Sequence, residues 1–314
     1  MQPLDLPVLD SDAIDTLLDS AMNPVQRSEF MQSRELDFAW GVPGLARFRV
    51  NAFAQHRGTA VVLRTIPDQV QALDAIGAPD ILKDLTQRAR GLVLVTGPTG
   101  SGKSTTLAAM VDHYNQTQSG HILTLEDPIE FIHDPKGCLV SQREVGRDTH
   151  SLDVALRAAM REDPDLILVG ELRDLATIRL ALSAAETGHL VLASLHTASA
   201  AKTMDRIIDV FPADEKESVR SMLSESLEGV VAQTLCKTAA GVGRVAAHEV
   251  MLGTPAIRNL IREGKTAQMY SSVQTGGSLG MQTLDQSLAE LLRQKRITPA
   301  EARSKAKAPA LFPG

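Results

Sequence analysis

The sequence predicts an α/β protein of two parts, and three features carry that prediction. Four short continuous apolar runs, GLVLVTG, HILTLE, DLILVGE and HLVLASLH, follow one another from residue 91 to residue 196. Helical patterns separate the first from the second and the third from the fourth, and a further one over about 151–162 precedes the third. A glycine-rich turn, GPTGSGKST from Gly97, joins the first run to the helix after it. Continuous apolar strands alternating with helices indicate a parallel sheet covered on both faces, because such a strand has no polar side to show to water.

The N-terminal part follows a different pattern. Residues 11–33 read as one or two helices broken near Pro24. In LARFRVNAFAQHRGTAVVLRTI, residues Ala46, Phe48, Val50, Ala52 and Ala54 share one face, and Arg47, Arg49 and Asn51 take the other. With HRG as the turn, this predicts a half-exposed β-hairpin. Pro67, Gly77 and Pro79 mark a breaker-rich stretch over 67–80. From about residue 253 the chain reads as helical, in TPAIRNLIREGK, TLDQSLAELLRQKR and TPAEARSKA, and the last residues are expected to fray. The divisions expected are a small α+β domain over 1–75, a linker over 76–90, a nucleotide-binding core over 91–252 and a helical segment over 253–314.

Composition excludes several classes. The 314 residues are 43% hydrophobic and 22% charged, as in ordinary globular chains. No apolar run is long enough to span a bilayer, and the start, MQPLDLPVLD, is acidic and unlike a signal. A net charge of −6 with 3% aromatic residues offers neither a basic track nor a stacking platform, so no nucleic-acid partner is expected. Cys138 and Cys236 are the only cysteines and form no CxxC pair, which excludes a zinc ribbon; the usage fits a reducing cytosol.

The turn at Gly97 fits G-x-x-x-x-G-K-[ST] in full, after a strand and before a helix, which is the context that lifts the motif above chance. Gly97, Pro98, Thr99, Gly100, Ser101, Gly102, Lys103, Ser104 and Thr105 are thus the candidate nucleotide cradle. The glycines let backbone N–H groups face phosphate oxygens, Lys103 reaches the β- and γ-phosphates, and Ser104 is placed to ligate Mg²⁺. ATP and magnesium are the cofactors implied. The alternative is a tight strand–helix turn without a ligand.

ILTLEDPIEF runs a strand straight into Glu126, Asp127 and Glu130. Carboxylates crowded at a strand end repel one another and are not buried cheaply. In an open parallel sheet ligands sit outside the carboxyl ends of strands, so a magnesium nucleotide and its attacking water would give these groups work. A solvated acidic loop is an equal alternative on position alone. DPDLILVGELRD places Glu171 at the end of the third run, in the form of a Walker B strand with Glu where many such enzymes carry Asp. GHLVLASLHTASA ends on His196 and Thr197, and at the fourth strand end a γ-phosphate sensor outweighs a capping histidine.

Together GPTGSGKST, LEDPIE, LVGELRD and HTASA resemble the secretion ATPases of the type II/type IV pilus superfamily. AIRNLIREGK, QMYSSVQTG and GMQTLDQSLAEL are similar to the C-terminal signature of its pilus-retraction branch. The resemblance runs from about residue 35 to the end. It implies a PAS-like N-terminal domain and a RecA-like motor domain in a hexameric ring. It further implies a cytoplasmic ATPase at the base of the pilus, peripheral to the inner membrane, that acts on a membrane platform protein and indirectly on the pilin filament to power retraction and twitching motility. By motif, Glu130 becomes the catalytic base, Glu171 the Walker B acid and magnesium group, and His196 the histidine-box residue. Members of the family usually begin with a further N-terminal segment, so an incomplete start is expected for the 1–75 domain. Assembly and secretion ATPases typically carry extra N-terminal domains and a tetracysteine zinc insert, which ranks them lower; an accessory retraction paralogue is the nearer alternative.

Ring motors often complete the site with a neighbour's arginine. Arg49 and Arg64 on the hairpin are the first candidates, because the resemblance places the N-terminal domain against the next subunit's nucleotide; Arg157, Arg161 and Arg206 come second. Arg157 and Arg161 would share a helix face. In AIRNLIREGK, Ile257, Leu260 and Ile261 form an apolar stripe while Arg258 and Arg262 lie together on an adjoining face. The resemblance marks this helix as a coupling element whose arginines contact a neighbouring subunit or the membrane platform, against the alternative of an ordinary helix packed on its own domain.

Overall fold

The computed structural model describes residues 5–67 and 69–312. The chain divides into a first unit, Met1–Gln69 with Pro128–Ile132, and a second, Val70–Asp127 with His133–Gly314. The domain boundaries expected at 1 and 314 lie outside the described residues.

In the first unit, α1 (Ser11–Ala21) starts at Asp10, whose carboxylate accepts the Ala13 amide at 2.8 Å. Helix α2 (Pro24–Ser33) starts at a capping box of Asn23 and Gln26, with Pro24 in its first turn. Proline is tolerated there because the first N–H groups of a helix have no partner to lose. Three antiparallel strands follow, β1 (Glu35–Val42), β2 (Ala46–Gln55) and β3 (Gly58–Ile66), in that spatial order. The hairpin of β2 and β3 was expected; β1 was not, although Leu36 and Phe38 alternate inward along it. They pack with Leu18, Met22, Val50 and Ala52 into a small core. Ala54 lies outside that core and is exposed, so the apolar face of β2 ends at Ala52.

The second unit opens with α3 (Ile81–Thr86), which lies within the stretch expected as a 76–90 linker. Leu82 and Leu85 are fully buried, and two anchors one turn apart make the stretch part of the core. Then come β4 (Gly91–Thr96), α4 (Lys103–Thr117), β5 (His121–Glu126), β6 (Leu139–Glu144), α5 (Leu152–Ala159), β7 (Leu166–Val169), α6 (Leu175–Thr187) and β8 (Leu190–Leu195). They are followed by α7 (Ala200–Asp209), α8 (Lys216–Ser226), β9 (Leu227–Lys237) and β10 (Arg244–Leu252), and by the helices α9 (Pro255–Arg262), α10 (Thr266–Thr275), α11 (Leu284–Arg293) and α12 (Pro299–Lys305).

Seven strands form one sheet in the order β10-β9-β4-β8-β7-β5-β6. All neighbours are parallel except β10, which runs antiparallel to β9 at the edge. The four strands expected from the apolar runs, β4, β5, β7 and β8, are all parallel to their neighbours; β10 returns antiparallel because a short connection between consecutive strands permits only that. Strands β4 and β8 at the centre have every residue buried, which is why they read as unbroken apolar runs. The expected helix over 151–162 ends at Ala159, with Asp163 in the left-handed region at φ 52°, so Arg157 and Arg161 do not share a helix face. The tail is docked at least to Phe312, which is 3% exposed in a second core with Val245, Leu288 and Ile297; the fraying expected beyond it falls on 313–314, outside the described residues. Among the described residues, no helix is long and apolar enough to cross a membrane.

Candidate active site at the strand ends

Strand β4 delivers the glycine-rich turn to the carboxyl edge of the sheet, between the ends of β8 and β9. The turn needs its glycines. Gly97 has φ +146°, and a Cβ there would meet the Gln233 carbonyl at 2.4 Å; Gly100 and Gly102 have φ +76° and +90°. These conformations are strained for residues with side chains. Lys103 is buried, and its ammonium donates to the carbonyls of Gly97 at 3.0 Å and Pro98 at 3.2 Å. Ser101 Oγ is buried and unpaired among the described residues. A hydroxyl and an ammonium turned into a loop of left-handed glycines fit a phosphate group, and Ser104 follows Lys103 in the first turn of α4 as the magnesium role requires.

Strands β7 and β8 bring their candidates to the same place. His196 Nδ1 lies 3.3 Å from the Lys103 ammonium, and His196 Nε2 lies 3.2 Å from Glu171 Oε1. The other Glu171 oxygen pairs with Arg173 Nε at 3.0 Å, and Arg173 reaches Asp127 at 3.5 Å. The ends of four strands thus join in one line of charge: Lys103, His196, Glu171, Arg173, Asp127. Glu126 stands apart. It is buried at the end of β5, where Thr124 Oγ1 donates to it at 2.7 Å and Gln142 Nε2 at 3.4 Å, so it holds the strand end together.

Glu130 belongs to the first unit, where it pairs with Arg49 at 3.4 Å; Arg49 also pairs with Asp37 at 3.3 Å. Arg64 sits directly opposite Arg49 across β2 and β3 and is exposed. Arg157, Arg161 and Arg206 are exposed on the second unit.

Arg258, expected as a coupling residue, is held within its own unit. Its guanidinium donates to the carbonyls of Gly253 at 2.6 Å, Ser224 at 2.7 Å and Glu225, and to Glu228 Oε1 at 2.8 Å. Arg262 donates to Ser224 Oγ at 3.3 Å. Both therefore clamp α9 to the end of α8 in their own unit. Arg258 is placed there because α8 ends beside it with its last carbonyls unpaired, the groups a forked cation satisfies.

Three site residues were not singled out from the sequence, although two of them, Ser194 and Arg173, lie inside the strand-end motifs. Gln233 of β9 is 3% exposed; its Nε2 donates to Ser101 O at 2.7 Å and its Oε1 accepts from Thr106 Oγ1 at 2.9 Å. It thus ties the turn to the first turns of α4. Ser194 of β8 donates to Gly170 O at 2.6 Å and accepts the Leu172 amide at 3.0 Å, which frames Glu171 from both sides. Arg173 is the third. The signal for Gln233 is a lone amide in the apolar run VVAQTL, since a buried amide is kept only where its hydrogen bonds are met.

A family profile described as "Type II/IV secretion system protein" matches residues 38–298. The chain belongs to the type II/IV secretion system protein family. Within this family it is similar to the type IV pilus retraction ATPase PilT of Pseudomonas aeruginosa, 62% identical over 309 residues that cover 98% of this chain and 90% of that protein. It is also similar to the twitching motility protein of Neisseria gonorrhoeae, 56% identical over 306 residues, covering 98% and 82% of the two. Among solved structures, the pilus retraction motor PilT with bound ADP matches with a TM-score of 0.87 at 47% identity, covering 95% of this chain and 84% of the other.

Proposed function

We propose that this chain is the motor of type IV pilus retraction, an ATPase that spends hydrolysis on pilin depolymerisation and twitching. The likeness to a retraction ATPase over nearly the full length of both chains is the observation that carries the reading. The strand-end site supports it chemically, because every group that phosphoryl transfer asks of such a fold is present.

In this reading Gly97–Thr105 cradle the phosphates through backbone N–H groups, and Lys103 turns from its loop carbonyls to the β- and γ-oxygens. Magnesium, when bound, would supply positive charge at the phosphates; Ser104 and Glu171 would hold it, although both Glu171 oxygens are engaged by Arg173 and His196 here. His196, hydrogen-bonded to Lys103, reads whether the third phosphate is there. Glu130 takes the proton of the attacking water, and Arg49 and Arg64 serve a neighbouring subunit's nucleotide in a homo-hexamer. The ring works from the cytoplasmic side of the inner membrane on a platform protein. For Arg258 and Arg262 the proposed role becomes fixing α9, in place of direct output contact.

The test is turnover of ATP by the purified chain and by Glu130→Gln. That variant keeps size and hydrogen bonding but removes the base, so ATP should bind and turnover fall about 10²–10⁴-fold. A wild-type preparation with no ATPase activity, or a Glu130→Gln variant with normal turnover, contradicts the assignment.

A further inference from the structure

Among the buried charges outside the nucleotide site, Glu249 is held in an unusual way. Glu249, in β10, is 4% exposed and lies outside the line of charge described above. Burying a carboxylate is costly unless it is paired and hydrogen-bonded. Glu249 is both. Oε1 accepts the Ala200 amide at 2.8 Å, at the first residue of α7, and Oε2 pairs with the Lys307 ammonium. The N-terminus of a ten-residue helix adds partial positive charge that favours the carboxylate there. Ser199 also caps α7, with its Oγ accepting the Lys202 amide at 3.4 Å, so the helix start is held twice.

Lys307 is itself held in place. Its amide and that of Ala308 donate to the buried Asp285 carboxylate at 2.8 and 3.0 Å. Its ammonium lies 5.1 Å from the Tyr270 ring centroid. Phe312 and the Arg303 bond to its carbonyl, 2.8 Å, secure the strap beyond. A C-terminal strap thus reaches a buried carboxylate that holds the start of α7. Three residues, Thr197–Ser199, separate that start from His196. His196 is fixed by β8 behind and α7 ahead, so the position of α7 sets whether its ring bridges Lys103 and Glu171.

We propose that Lys307 and Glu249 are positioning residues for the nucleotide site, holding α7 and through it His196 in the bridging place, so that the C-terminal strap sets the rate of ATP turnover. The inference rests on the ATPase reading above. The ground-state cradle is built by β4, α4 and Gln233, whereas the side-chain bonds of Glu249 and Lys307 go to α7 and to each other. Loss of the pair therefore lowers turnover and leaves diphosphate binding alone.

The experiment compares Lys307→Met, Lys307→Arg and the Glu249→Gln/Lys307→Met pair, in the full chain, for kcat and for ADP affinity. The paired variant keeps both volumes and removes the uncompensated buried charge, so it folds even where Lys307→Met does not. The expected result is a kcat about ten-fold lower in Lys307→Met and in the paired variant, ADP affinity within about two-fold of wild type, and Lys307→Arg near wild type. In a His196→Ala background Lys307→Met should add less than about two-fold, because the two act in series. Wild-type turnover in the folded paired variant, equal loss of ADP binding, or full additivity with His196→Ala overturns the proposal. A wild-type chain that hydrolyses no ATP removes the ATPase reading instead.

Discussion

The Lys103 ammonium stands 3.3 Å from His196 Nδ1, and this distance decides which proton the imidazole carries. An ammonium has donors only, so Nδ1 is the acceptor and the ring proton sits on Nε2, pointing at Glu171 Oε1. The histidine thereby bridges the phosphate-binding lysine and the acid at the end of β7. His196→Ala removes the bridge while the cradle remains. Turnover should fall about ten-fold or more with ADP binding retained, as expected for losing one hydrogen bond to a charged group. Steady-state kinetics with an ADP titration checks it.

Gln233 makes a second prediction. Gln233→Leu leaves the Ser101 carbonyl and the Thr106 hydroxyl without their buried partner, so the turn loosens and nucleotide affinity should fall about ten-fold. Gln233→Glu should be worse, because a carboxylate oxygen would face the Ser101 carbonyl. Equilibrium binding of ADP to both variants decides the order.

Arg258 is expected to act on stability. Arg258→Ala strands three carbonyls at the junction of α8 with α9 and leaves Glu228 with Arg88 alone, 3.5 Å away, at a cost of about 2–3 kcal/mol in chemical denaturation. Arg258→Lys should recover little, since a lysine cannot serve four acceptors with a planar fork. Arg262, with one bond at 3.3 Å and an exposed side chain, should cost far less.

Two buried histidines set the acid side of the stability profile. Burial lowers both His133 and His248 from the ordinary 6.5 to about 4. As pH falls below 6.5 the unfolded chain binds these protons first, while the folded chain stays neutral until about 4. Stability is therefore unaffected above that window, falls through it by about 1.4 kcal/mol per pH unit for each histidine, and levels off below it. Denaturation midpoints of wild type and His248→Leu between pH 7 and 4.5 should show the shallower slope in the variant.

What the sequence made legible follows from where chemistry is local. The turn from Gly97 to Thr105 was readable because its function needs fixed residues at fixed spacing between a strand and a helix. Glu171 and His196 were readable as the ends of apolar runs. Strand β1 was missed since ELDFAWGV carries a glycine and two acids among its alternating residues, and α3 was missed because Gly77 and Pro79 hid the buried Leu82 and Leu85 behind them. Gln233, Ser194 and Glu249 act on partners remote in sequence, where no spacing rule reaches. Arg258 illustrates the opposite limit. Its helix face was readable, but its acceptors on α8 and in the turn after β10 were not.

The central claim is that ATP hydrolysis at this strand-end site drives pilus retraction. Its most direct test is the retraction rate of labelled pili in cells of a deletion strain complemented with the wild-type chain or with Lys103→Ala, at matched protein levels. Retraction restored by the wild-type chain and absent with Lys103→Ala is the predicted result, since without the ammonium the β- and γ-phosphates lose their buried cation. Retraction at the wild-type rate with Lys103→Ala would contradict the account.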